Sequence, residues 1–294
     1  MIPSATIICM AISMLVAIGL PISLFIGLRK RLALSPVPML VGVGVFIVFA
    51  LVLEQLLHRL VLHTTPSGQI ALLITHPALY VLYGIFAAGV FEETGRLVGF
   101  LILRRRFTGV RTAISYGIGH GGIEAILLVG LTMISNIVLA ILANAGVLTG
   151  QIYQPAITTL SGTAPAAFLV AGMERIFAIT IHLSLSILVW VAVTRRGHWW
   201  LFPLAIVLHA ASDLSAACYQ AGWLGIPLTE SLTGIAAVVV ALYAITWLRR
   251  CLADERQQAN EQQLMDASVA QEQQQFLATL PPPVADYVIT PTAK

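Results

Sequence analysis

Residues 165–194 read PAAFLVAGMERIFAITIHLSLSILVWVAVT, thirty residues in which Glu174, Arg175 and His182 are the only acidic or basic side chains. An α-helix needs about 20 residues to cross the hydrocarbon core of a bilayer, so this stretch is long enough to span it. The stretch stops at Arg195-Arg196, as a span does where it reaches a charged membrane surface. The pattern predicts a transmembrane helix, so the chain has to be interpreted as a membrane protein.

The whole chain has the composition of such a protein. Of its residues, 58% are hydrophobic and only 10% are charged, and the mean hydropathy is +0.91. A soluble domain carries about one quarter charged residues, so a soluble fold is excluded. We predict an all-α, polytopic transmembrane helix bundle of about seven helices, with six further spans at 5–28, 38–57, 71–103, 112–144, 199–218 and 231–249.

The basic residues predict the orientation of the bundle. If every span crosses, the short basic clusters all fall on one side, and the opposite loops 145–164 and 219–230 hold no Lys or Arg. The positive-inside rule makes the basic side cytoplasmic, which gives an N-out, C-in topology. The basic residues behind the net charge of +3 therefore lie in loops at the surface of the lipid bilayer. They do not indicate a nucleic-acid partner.

The chain also divides by composition into two parts. Residues 1–250 form the predicted transmembrane helical domain, which holds every candidate site residue. Residues 251–294 are rich in Gln and contain Pro281-Pro282-Pro283, which predicts a cytoplasmic tail that is partly helical and then disordered.

Ionisable side chains inside four of the spans are the candidates for function, because burying such groups in a bilayer is costly. Most of them lie 9 to 13 residues from the basic residue that ends their span, which is roughly 13 to 20 Å of helix. Side chains from four helices thus reach one layer and predict a single site. They are Glu92, Glu93, Arg96, His120, Glu124, Arg175, His182, His209 and Asp213.

The spacing of the histidines predicts a metal site. His120 with Glu124, and His209 with Asp213, are each four residues apart and project from one helix face. Two imidazoles and carboxylate oxygens suit Zn²⁺, which in catalytic sites keeps a position for water. Each pair is also compatible with a structural role, in which the carboxylate simply holds the imidazole.

The double glutamate predicts a catalytic carboxylate. Glu92 and Glu93 point about 100° apart on a helix, so only one of them can act as the base that takes a proton from water. Arg96 is within helical reach of both, and the same residues are compatible with a structural ion-pair patch.

His182 and Arg175 are the remaining candidates. His182 is equally compatible with a metal ligand and with an interhelical hydrogen bond, and Arg175 with a substrate contact or a Glu partner. Because adjacent helical residues do not face each other, we expect Glu174 and Arg175 to pair with other groups.

At these motifs the chain resembles the YhfC family of bacterial intramembrane metalloproteases, which is similar to the PrsW proteases and the CAAX prenyl endopeptidase group. The matching residues are Glu92-Glu93-x-x-Arg96, His120-x-x-x-Glu124 and His209-x-x-x-Asp213. The resemblance covers most of the membrane region and excludes the Gln-rich tail.

The resemblance implies peptide-bond hydrolysis inside a bacterial cytoplasmic membrane, on a membrane protein or peptide substrate. Glu92 or Glu93 would activate water, and His120 and His209 would bind a metal or the developing oxyanion, with a metal-free Glu/His mechanism as the variant. Such a hydrolase is expected to admit water from the cytoplasmic side. The alternative is a proton- or metal-ion-coupled transporter that uses the same Glu, His and Asp residues.

Overall fold

The structure is a computed structural model that describes residues 1–148 and 150–279. Within these ranges it contains nine α-helical segments of five or more residues, two of which include internal π-helical turns, and no β-strand. They are α1 Ser4–Leu32, α2 Pro36–Val61, α3 Ala71–Thr75, α4 Pro77–Leu103, α5 Arg111–Asn144, α6 Gln154–Gly162, α7 Pro165–Thr194, α8 Leu201–Gln220 and α9 Ile226–Thr279.

The predicted all-α, polytopic membrane fold is confirmed. Among the described residues, six helices are long and apolar enough to cross a bilayer: α1, α2, α5, α7, α8 and α9. The 27 residues of α4 are also long enough, but this helix carries Glu92, Glu93 and Arg96, which lower its mean hydropathy. The count of seven spans and the N-out, C-in orientation stay predictions.

The structure changes the predicted boundary of one span. The stretch 71–103 forms two helices, Ala71–Thr75 and Pro77–Leu103, which are separated at His76. Proline disfavours a helical conformation in the residue before it and is well suited to the first turn of a new helix, so Pro77 ends one helix and begins the next.

Helix α7 is the central element of the bundle. The most apolar part of this helix is 72% buried, compared with 22% for α1, and it packs against α1, α4, α5 and α8. Helices α2 and α5 also lie very close together, because Gly42 contacts the backbone of Tyr116 and Gly119 contacts the backbone of Met39. This packing brings the polar faces of α4, α5, α7 and α8 together.

The chain separates into two compact units, Met1–Cys251 and Leu252–Lys294. In the second unit, the described part of α9 reaches Thr279, and its side chains are mostly exposed. The predicted disordered end of the tail, from Pro281 onward, lies outside the described residues. The division into a transmembrane domain with the site and a cytoplasmic tail stays a prediction.

Candidate active site

The Glu92 carboxylate on α4 lies at the centre of a group of three histidines. Its Oε2 atom is 2.9 Å from Nε2 of His120 and 3.9 Å from Nδ1 of His182. Its Oε1 atom is 3.9 Å from Nε2 of His209. Because the three imidazoles come from α5, α7 and α8, the site forms only when these helices pack around α4.

Glu93 points away from this centre into the packed interior. Its side chain is 0% exposed, with Oε1 2.8 Å from Nδ1 of His209 and Oε2 3.0 Å from Nε of Arg96. With Nδ1–H of His209 donated to Glu93, the Nε2 atom of that ring faces Glu92 and lies 3.4 Å from Asp213. Glu93 therefore orients His209, as a carboxylate commonly does behind a functional imidazole.

Arg96 fixes the position of His182. One terminal nitrogen donates at 2.7 Å to the carbonyl oxygen of His182 and at 2.7 Å to Oγ of Ser186, and the other lies 3.0 Å from Nδ1 of His182. Ser186 is not among the residues predicted from the sequence. The signal was available, because Ser186 lies four residues after His182 on the same face of an apolar helix.

Glu124 joins His182 to Arg175. One carboxylate oxygen of Glu124 is in close contact with Nε2 of His182, and the other accepts a hydrogen bond from Arg175 at 2.7 Å. Arg175 also donates to Glu174 at 2.6 Å. The expectation that Glu174 and Arg175 would not pair with each other is wrong, because the long guanidinium side chain reaches both carboxylates.

These side chains surround a cavity of about 180 Å³. A larger groove of about 770 Å³ lies between α7 and α9, but its lining is almost entirely apolar. The smaller cavity is therefore the candidate site. Its ionisable lining residues are Glu92, Glu124, Glu174, Arg175, His182, His209 and Asp213.

The donor set in this cluster fits a metal ion. Glu92, His120 and His182 are all buried, and each offers one ligand atom within 4.8 Å of the others. Two imidazoles and one carboxylate form a ligand set found in catalytic zinc sites. Compared with the ligands predicted from sequence, this group retains His120, includes His182, which the sequence left open as a ligand, and adds Glu92.

The other predicted ligands lie beside this group. Glu124 contacts His182, while His209 lies beside the Oε1 atom of Glu92 and contacts Asp213. All nine candidate residues thus lie in one connected cluster, and the role of each stays a prediction.

Two comparisons identify similar proteins. The sequence model of the YhfC intramembrane metalloprotease family matches residues 12–233. An uncharacterized membrane protein, YhfC of Bacillus subtilis (strain 168), is 33% identical over 258 residues, which cover 84% of this chain and 97% of that protein. No solved structure matches the chain.

Proposed function

Because the chain belongs to the YhfC intramembrane metalloprotease family, we propose that it is a zinc-dependent protease that hydrolyses peptide bonds within the bilayer. Its substrate is a membrane protein or a membrane-associated peptide, and its location is the bacterial cytoplasmic membrane. The observation that carries the proposal is the buried group of Glu92, His120 and His182 beside a polar cavity.

Glu92, His120 and His182 would hold the metal. Because Glu124 contacts Nε2 of His182, this ring would bind through Nδ1 and give up its contact with Arg96. When bound, zinc supplies Lewis-acid chemistry that polarises a peptide carbonyl and activates water. The two oxygens of Glu92 face different neighbours, because Oε2 is directed towards His120 and His182 and Oε1 towards His209. Glu92 can therefore belong to the metal-holding group and still present a second oxygen to the cavity.

The Oε1 atom of Glu92 takes the proton from the attacking water and returns it to the leaving amine. A carboxylate placed in this way performs general acid–base catalysis, which typically contributes about 10²- to 10⁴-fold to the rate. Glu93 has both oxygens directed towards Arg96 and His209, so it cannot share this task and acts as a positioning residue.

His209 lies where negative charge would develop on the carbonyl oxygen. The bond to Glu93 fixes the ring, and Nε2 is directed towards the cavity between Glu92 and Asp213. Because Nδ1–H is donated to Glu93, Nε2 donates as well only when the ring is the doubly protonated imidazolium, a form that the surrounding carboxylates of Glu92, Glu93 and Asp213 stabilise. A fixed donor at this point stabilises an oxyanion, because no reorganisation is required during the reaction. Arg175 holds Glu124 against His182 and so positions the imidazole ring of His182.

Metal analysis of the detergent-purified protein tests the proposal. The wild type is compared with His120→Ala, His182→Ala and His209→Ala, after dialysis against a mild chelator. His198→Ala is the matched control, because His198 hydrogen-bonds the carbonyl of Arg196 in a loop between α7 and α8. We expect about one zinc per chain in the wild type and the control, because a catalytic site with three protein ligands binds a single ion.

The three site variants are expected to differ. His120→Ala and His182→Ala lose the metal, whereas His209→Ala retains it and loses cleavage of membrane-spanning peptides, read by mass spectrometry. Loss of metal in His209→Ala would show that His209 is a ligand. A wild type without any metal would overturn the metalloprotease assignment, and ion-flux assays in proteoliposomes would then test the transporter.

A further inference from the structure

The site is closed on the side that faces the basic loops. Phe100, Tyr116 and Trp190 form a packed aromatic layer, with ring centroids of Phe100 4.5 Å from Tyr116 and 5.3 Å from Trp190. Each of the three is at most 2% exposed. They lie on α4, α5 and α7 between the site and the helix ends that carry Arg104, Arg111 and Arg195.

The exposed groups of the site lie on the other side. The side chains of Asp213 and Glu174 are 41% and 37% exposed, compared with 0% for Arg96. Asp213 follows His209 towards the Gln220 end of α8, and Glu174 precedes His182 towards the start of α7. Each has one ion-pair partner, Arg175 for Glu174 and His209 for Asp213. Because exposure of the rest of a carboxylate to hydrocarbon is costly, we expect the exposed parts of these two groups to face water.

A second cavity, whose lining is partly polar, adjoins the site at this end. We name it the entrance chamber: it has a volume of about 250 Å³, it is lined by α2, α4 and α8, and it shares Asp213 and Ala216 with the site cavity. Its rim is polar, because the Tyr80 hydroxyl donates to Gln220 at 2.7 Å and the Tyr83 hydroxyl lies 2.8 Å from His58.

We infer that water and the substrate peptide reach Glu92 through the entrance chamber, from the end of the bundle opposite the basic loops. The path is short, since the seven residues from Asp213 to Gln220 correspond to about 10 Å of helix. The inference rests on the proposed proteolysis and specifies its substrate class, an extended peptide segment that lies next to a membrane span at that face. Under the predicted orientation this is the outer face, whereas the expectation from sequence was entry from the cytoplasmic side.

Cysteine accessibility tests the route without a substrate. In a full-length background with Cys9, Cys218 and Cys251 replaced by Ala, single cysteines are introduced by Ala216→Cys and Gly84→Cys, both in the chamber lining. A Cβ at Gly84 meets no atom within 4 Å among the described residues, so this variant should fold even if Ala216→Cys does not. The probe is a membrane-impermeant, charged methanethiosulfonate, applied to intact cells and to inverted membrane vesicles.

Three control positions define the two faces and the lipid. Gln151→Cys marks the loop between α5 and α7, His198→Cys marks the basic face, and Val90→Cys is an exposed apolar position on α4. We expect both chamber cysteines to be modified in the preparation that modifies Gln151→Cys, and to remain unmodified in the other, while Val90→Cys is modified in neither.

Modification of the chamber cysteines together with His198→Cys, or in neither preparation, would overturn the inference. The result is independent of the proposed chemistry, because labelling requires neither metal nor cleavage. If the chain is labelled as expected but has neither metal nor cleavage activity, the inferred entrance would stand and the proposed protease function would be wrong.

Discussion

At the scale of single residues, Glu92 and Glu93 show how one helical step changes the role of a side chain. The two carboxylates differ by about 100° around the axis of α4. Glu92 lines the cavity, whereas Glu93 is fully enclosed between Arg96 and His209. The sequence predicted that only one of them could act on water, and the packing favours Glu92.

The matched pair Glu92→Gln and Glu93→Gln separates catalysis from structure. We expect Glu92→Gln to abolish cleavage, because it removes the base and a metal-holding oxygen, while its unfolding temperature after chelation of metal stays near that of the chelated wild type. Glu93→Gln leaves the buried Arg96 guanidinium without its ion-pair partner, which costs about 3 to 5 kcal/mol. Thermal unfolding in detergent measures the difference, and a Glu93→Gln protein as stable as the wild type would contradict the positioning role.

At the scale of elements, glycines set the distance between α2 and α5, and this distance positions His120. A Cβ on Gly42 would collide with the carbonyl oxygen of Tyr116, one turn before His120. Gly44, two residues further along α2, has no atom within 4 Å of an added Cβ among the described residues. Small residues at such contacts allow membrane helices to approach closely.

Gly42→Ala and Gly44→Ala test this contact on one helix. Gly42→Ala forces α2 and α5 apart, and overpacking of this kind costs about 1 to 3 kcal/mol. Gly44→Ala fills open space and improves helix propensity, which favours stability by up to about 1 kcal/mol. Unfolding in a denaturing detergent measures both, and equal stability of the two variants would argue against the contact.

The affinity for metal should follow the same order as the stability of the two glycine variants. Because α5 also carries His120, we expect Gly42→Ala to bind zinc more weakly than Gly44→Ala in a chelator titration. A Gly42→Ala protein that binds zinc as tightly as the wild type would show that the site tolerates a displacement of α5.

At the scale of the whole molecule, the site belongs to one of the two compact units. Every cluster residue lies within Met1–Cys251, and the described tail residues line neither the site cavity nor the entrance chamber. We therefore expect the site to form without the tail.

Removal of residues 256–294 tests this separation. We expect the shortened protein to keep the metal content, the unfolding temperature and the cleavage activity of the full chain, because the cavity-lining residues are retained. Metal analysis and thermal unfolding of the shortened protein and the full chain measure the first two of these properties. A shortened chain that loses its metal would show that the tail supports the membrane domain.

The sequence by itself determined the membrane fold and the set of candidate residues. A span of about 20 apolar residues has to satisfy its backbone within its own helix, so each helix can be recognised locally. Ionisable residues in such spans are rare and costly, which is why nearly all members of the cluster could be selected before the structure was known.

The tertiary structure decided how those residues are arranged. Helices that are apolar on most faces carry little sequence information about their rotation, so the pattern could not show that Glu92 faces the histidines or that His182 joins the metal group. The direction from which the cavity opens depends on Phe100, Tyr116 and Trp190, three aromatic side chains from different helices. Their packing is a property of the assembled bundle, because no single span contains the contacts that close one end and leave the other open.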